Sequence, residues 1–105
     1  MTATETAEGE FAEFVQWLKQ EYAPQAIYLF GSRARGDAIK ESDYDLLIVS
    51  SAFEGVMFTD RMTRIYAHSP RPGNLECLCL TPSEFERSRN MISLVALIAR
   101  EGVLV

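Results

Sequence analysis

LFGSRARGDAIKESDYDLLIV, Leu29 to Val49, is the stretch from which the rest of the chain can be placed. It contains the end of one strand, a stop, a polar crossing and a second strand. On its left, Ala26-Ile27-Tyr28-Leu29-Phe30 is a continuous β-prone run, the pattern of a central strand covered on both faces. Gly31 ends that run. On its right, Asp43 to Ser50 closes in Leu46-Leu47-Ile48-Val49, again β-prone and apolar without alternation. Gly31 and Gly36 break the chain between the two, which leaves room for a short helix or a wide loop.

Working outward, Phe11, Phe14, Val15, Leu18 and Tyr22 form one stripe at helical spacing, flanked by Trp17 and ended near Pro24. Met57 to Ala67 reads as a second helix through Phe58, Met62, Ile65 and Tyr66. SPRPG, residues 69–73, is a turn. Asn74 to Leu80 is a third strand, with Leu75, Cys77 and Cys79 on one face and Glu76, Leu78 and Leu80 on the other. Thr81-Pro82-Ser83-Glu84 has the residues of a capping box, with proline suited to the first helical position. A further helix is predicted from Ile92 to Arg100, apolar on nearly every side and capped by Gly102. Its larger residues, Leu94, Leu97 and Ile98, either wedge against the first helix or stay exposed as a contact for another chain. Residues 1–8 are polar and expected to be flexible, and residues 9–105 are expected to form a single domain. The order of elements predicts a two-layer α/β or α+β domain, a small mixed sheet packed with helices.

The chain has 105 residues, with 10 Lys plus Arg against 15 Asp plus Glu, a formal charge of −5. That balance disfavours a protein whose main task is to grip nucleic acid, because such binding neutralises many phosphates. It leaves room for a nucleotide held through a metal. No apolar run is long enough to span a membrane, and MTATETAEGE is unlike a secretory leader. Cys77 and Cys79 share a strand face, cannot bridge each other comfortably, and read as buried thiols of a reducing, cytoplasmic compartment. With His68 the sole histidine, they make a poor zinc set. His68 reads as surface or structural, and Tyr44 as packing on the face opposite its neighbouring aspartates.

Asp43 and Asp45 stand two apart at the start of a strand, so their carboxylates point to one side, about 6–7 Å apart at the backbone. Two like charges there repel unless a cation lies between them. Magnesium prefers hard oxygen ligands and sits on one or two carboxylates together with substrate phosphates. A third acid on a neighbouring strand completes a two-ion site. Glu76, the one acid inside the third strand, is the candidate. Gly31-Ser32 supplies exposed N–H groups and a hydroxyl for phosphate oxygens, and Arg33 and Arg35 supply charge. Each part alone is common, and GSRARG is neither a P-loop nor a dinucleotide glycine motif. Their combination is specific.

GSRARG (31–36) followed by SDYDLLIV (42–49) closely resembles the nucleotidyltransferase superfamily of DNA polymerase beta, in its minimal single-domain form. Phe30, Gly31, Ser32, Asp43, Tyr44, Asp45 and Leu46 fit its pattern one by one. The resemblance extends over residues 10–105, including the tail. It implies the nucleotidyltransferase fold, ATP as substrate, and two Mg²⁺ ions. Gly31 and Ser32 would hold the triphosphate, Asp43 and Asp45 would bind the ions, and the acid of the third strand would activate the acceptor hydroxyl. That acid is commonly aspartate; here it is Glu76, one methylene longer.

A separate acceptor domain is not expected in a chain of this length. Small members of the superfamily often accompany a small helical protein, the two resembling a toxin and its antitoxin. The resemblance therefore implies transfer of AMP to a hydroxyl of a partner protein. The alternatives are a non-catalytic, antitoxin-like module that neutralises its partner, and transfer to RNA or a small molecule. A homo-oligomer is a further expectation.

Overall fold

The structure, a computed structural model, describes residues 3–31, 44–68, 72 and 74–105, and side chains from Gly9 onward. Helix α1 (Ala3–Tyr22) leads into strand β1 (Ala26–Phe30), then β2 (Tyr44–Val49). A single 3₁₀ turn (Ser51–Phe53), α2 (Phe58–Tyr66), β3 (Leu75–Leu80), α3 (Pro82–Arg89), α4 (Leu94–Glu101) and β4 (Val103–Leu104) follow. The seven predicted elements occur in the predicted order. Helix α1 begins at Ala3, inside the stretch expected to be flexible, and β4 and the 3₁₀ turn are additions.

The strands form one mixed sheet in the order β3-β2-β1-β4. β2 runs antiparallel to β1 and parallel to β3, and β4 lies antiparallel along the far side of β1. The sheet carries helices on both faces, so the two-layer expectation is corrected to three layers. The cause is β2, in which Leu46, Leu47, Ile48 and Val49 are all buried. Successive side chains point to opposite faces, so an unbroken apolar run must be covered on both.

On one face Ile27, Leu46, Ile48, Cys77 and Cys79 pack with Phe14, Val15 and Leu18 of α1 and Ile65 of α2. On the other, Leu47, Val49 and Leu80 pack with Phe85 of α3 and Val95 and Ile98 of α4. Each large side chain buried in this way contributes about 1.5–3 kcal/mol. The assignment of α1 and α4 to opposite faces decides the position of α4's leucines. α1 cannot cover them. Ile98 is buried against the sheet, whereas Leu94 and Leu97 are 57% and 41% exposed.

Local chemistry sets the element ends. Thr81 Oγ1 accepts from the Glu84 N–H at 3.2 Å, and Glu84 Oε1 accepts from the Thr81 N–H at 2.7 Å, closing the capping box behind Pro82. Ser93 caps α4 by accepting from the Ala96 N–H. α1 stops where Ala23 turns into the left-handed region at φ 42°, just ahead of Pro24.

Glu84 has a second task. Buried Arg61 of α2 donates to Glu84 at 2.6 Å, to the Cys79 carbonyl at 3.1 Å and to the Val56 carbonyl at 3.0 Å. One guanidinium thus ties α2 to the β3–α3 junction. Its hydrogen bond holds the Glu84 carboxyl down at about 2, against the opposing effect of burial. Sequence reading assigned Arg61 nothing, although its spacing from Phe58 and Ile65 places it on the apolar face of α2.

Candidate functional site

Three strand ends meet at one end of the sheet. β1 finishes there at Phe30. β2 starts there, being antiparallel to β1, and β3 starts there too, being parallel to β2. The register sets Phe30 opposite Asp45 and Asp45 opposite Glu76. Directly opposed residues on neighbouring strands share a face about 4.8 Å apart. Asp45 and Glu76 therefore lie side by side, on the face that carries α3 and α4. Glu76 is exposed and Asp45 is half-buried. Leu75, Cys77 and Cys79 face the other way, as the alternation predicted, and both thiols are buried.

This pairing is fixed from two sides. The Tyr44 N–H donates to the Asn74 carbonyl at 2.9 Å, so the β2–β3 ladder continues past the acids. The Tyr44 ring is buried on the opposite face and stacks on Phe11, with centroids 4.3 Å apart. The packing reading of Tyr44 describes what the ring does.

Gly31 closes the site from β1. Its φ is +76°, in the left-handed region that favours glycine. A methyl group in place of its hydrogen would collide with Oδ2 of Asp45. The main chain of Gly31 is thus brought against a carboxylate, a closeness that any side chain would end.

Of the residues predicted for the site, Gly31, Asp45 and Glu76 come together here. Ser32, Arg33, Arg35 and Asp43 fall in residues 32–43, outside the described residues. Among the described residues, no three His, Cys, Asp or Glu side chains form a group that could hold a metal ion. Asp43, the remaining acid of the predicted set, is not among them. Asp45 and Glu76 nevertheless offer what a hard cation takes, carboxylate oxygens on one face beside an exposed edge. Cys79 offers nothing comparable, since burial pushes its thiol up to about 12. His68 stacks flat on Trp17 at 3.6 Å, in keeping with a structural role.

Beside Gly31 the surface falls into a groove of about 260 Å³ between the end of β1 and α4. Phe30, Gly31, Leu94, Leu97, Ile98, Glu101 and Gly102 line it. Sequence reading missed this feature, because it required knowing on which face of the sheet α4 packs.

The sequence profile of the family described as "Nucleotidyltransferase domain" matches residues 9–96, most of the chain. The chain belongs to this family. The nucleotidyltransferase domain is also 52% identical over 44 residues to a Methanocaldococcus jannaschii protein named "Putative protein adenylyltransferase MJ0604". That stretch covers 40% of this chain and 44% of the relative, so the chain matches less than half of the relative's length. A crystal structure described as "a putative nucleotidyltransferase from Sulfolobus solfataricus" superposes with a TM-score of 0.64 at 26% identity. It covers 97% of this chain and 84% of the other. The expected fold, a small mixed sheet packed with helices, is the one found. None of the helices described is long and apolar enough to cross a membrane.

Proposed function

We propose that this nucleotidyltransferase domain transfers AMP from ATP to a hydroxyl group of a partner protein, with Mg²⁺ held at the ends of β2 and β3. The observation that supports it most is the register that sets Asp45 beside Glu76, with the Gly31 main chain against the Asp45 carboxylate. The local likeness to a protein named as an adenylyltransferase favours ATP and a protein acceptor.

Asp43, Asp45 and Glu76 are oxygen donors suited to Mg²⁺, which when bound supplies positive charge to the phosphates. The chain's own residues do the rest. Gly31, having no side chain, lets the main chain approach the triphosphate. Ser32 donates its hydroxyl to a phosphate oxygen, and Arg33 and Arg35 offset the negative charge. Glu76 accepts the proton of the acceptor hydroxyl as that oxygen bonds to the α-phosphorus and pyrophosphate leaves. The exposure of Glu76 suits this task, because an acceptor on a second protein must reach it.

A second reading is a module that binds and neutralises a small helical partner, as in a toxin–antitoxin pair, without transfer. The fully exposed Ile92, with exposed Met91 beside it, favours such a contact. One experiment separates the two. The protein is incubated with labelled ATP, Mg²⁺ and the protein encoded next to it in its genome, and intact masses are measured. The transfer reading expects the partner to gain one AMP, and Asp45→Asn to abolish the gain and the neutralisation together. Neutralisation that survives Asp45→Asn, with no mass gain in the wild type, selects the binding module.

A further inference from the structure

We propose that the groove between the end of β1 and α4 is the nucleoside subsite of this domain, with Glu101 accepting a hydrogen bond from the exocyclic amine of the base. The inference rests on the nucleotide-transfer reading and adds which surface holds the base and which bases it prefers.

Continuity comes first. Phe30 and Gly31 form one wall of the groove, and Gly31 also lies against the Asp45 carboxylate. A nucleotide whose phosphates sit at Gly31 and the acids has the groove as its adjoining apolar surface. Wall chemistry comes second. Leu94, Leu97 and Ile98, at helical spacing on α4, line it together with Phe30. Leu94 and Leu97 are large apolar side chains left exposed on a small domain. A flat heterocycle laid against them removes that surface from water.

Charge comes third and orients the ligand. Among the described residues of the lining, Glu101 is the one charged side chain. An anion there repels the phosphate tail, so the phosphates point to Gly31 and the base to Glu101. A carboxylate accepts from an N–H donor. Adenine and cytosine carry an exocyclic amine at the edge where uracil and guanine carry a carbonyl oxygen. The preference expected is ATP over UTP, with a base-free triphosphate weakest.

The test is calorimetric binding of ATP, UTP and inorganic tripolyphosphate, each with Mg²⁺, to the wild type, Leu97→Asn and Glu101→Gln. Both side chains are exposed, so both variants should fold, which circular dichroism checks. The wild type is expected to bind ATP about tenfold or more tighter than tripolyphosphate. Leu97→Asn should weaken ATP severalfold and leave tripolyphosphate unchanged. Glu101→Gln should shrink the ATP-to-UTP ratio by roughly threefold to tenfold, the range of one partly exposed hydrogen bond. Equal binding of all three ligands by the wild type overturns the subsite while leaving the phosphate site standing. So does a Leu97→Asn variant that loses tripolyphosphate and ATP alike. A folded wild type that binds none of the three overturns the nucleotide reading itself, and the subsite with it.

Discussion

Replacing Gly31 with alanine should separate the stability of this fold from its chemistry. Two effects act at that position. A left-handed φ of +76° costs an L-residue about 1–2 kcal/mol. The added methyl also overlaps Oδ2 of Asp45, which must retreat by roughly 1 Å to regain ordinary contact distance. That oxygen is the far end of a side chain, so rotating the carboxylate relieves the clash at little further cost in stability. Its effect on the site is much larger, since a displacement of about 1 Å in a reacting constellation can reduce rate about 100-fold. Gly55 is the internal control. Its φ is +77°, and nothing lies within 4 Å of an added methyl. Gly31→Ala and Gly55→Ala should therefore lower the unfolding midpoint to a similar degree, about 5–15 °C for a domain of this size. Only Gly31→Ala should lose Mg²⁺-dependent ATP binding, by tenfold or more. Urea or thermal unfolding gives the first comparison and calorimetry the second. A Gly31→Ala protein that binds Mg²⁺ and ATP within threefold of wild type would refute the reasoning. It would show that the closeness of Gly31 to Asp45 serves no ligand.

Arg61→Met should destabilise the domain by about 3 kcal/mol, because it leaves Glu84 and two carbonyls without their buried donor; urea unfolding measures it. Glu84 is held at about 2 in the folded state, below the 4.5 of the free side chain. Its contribution is thus present above pH 4.5 and lost as pH falls toward 2. With the side chain 36% exposed and screened by solvent, about 1–2 kcal/mol is at stake, and Glu84→Gln should flatten that part of the stability–pH curve. Ala23→Gly should raise stability by about 1 kcal/mol, since Ala23 ends α1 at φ 42°; a thermal midpoint that does not rise contradicts that account.

Much of the fold was legible because its signals are local. The runs of β1 and β2, the Phe11–Tyr22 stripe and the Thr81–Glu84 capping box each state their own structure. The face of Glu76 was also legible, through alternation along β3, whereas its place opposite Asp45 follows from the pairing of β3 with β2. What escaped reading depends on where distant elements dock. β4 is two residues long, too short to show a period, and exists through its pairing with Tyr28 and Leu29. The place of α4 follows from a sheet that needs cover on both faces. That place exposes Leu94 and Leu97, buries Ile98 and creates the groove beside Gly31. Arg61 sits on an apolar helical face because Glu84, already committed to capping α3, meets it there. No window of sequence contains both partners.

The central claim is that Asp45 and Glu76 act together on one nucleotide-bound Mg²⁺. The most direct measurement is Mg²⁺ affinity in the presence of saturating ATP, for wild type, Asp45→Asn, Glu76→Gln and the double variant. If the two carboxylates serve one site, each single variant weakens Mg²⁺ tenfold or more. The double variant is then weakened by much less than the product of the two effects, the non-additivity expected of groups that share a ligand. A Glu76→Gln protein with wild-type Mg²⁺ affinity, or two fully independent effects, would contradict the claim and leave Asp45 and Glu76 as neighbours without a common task.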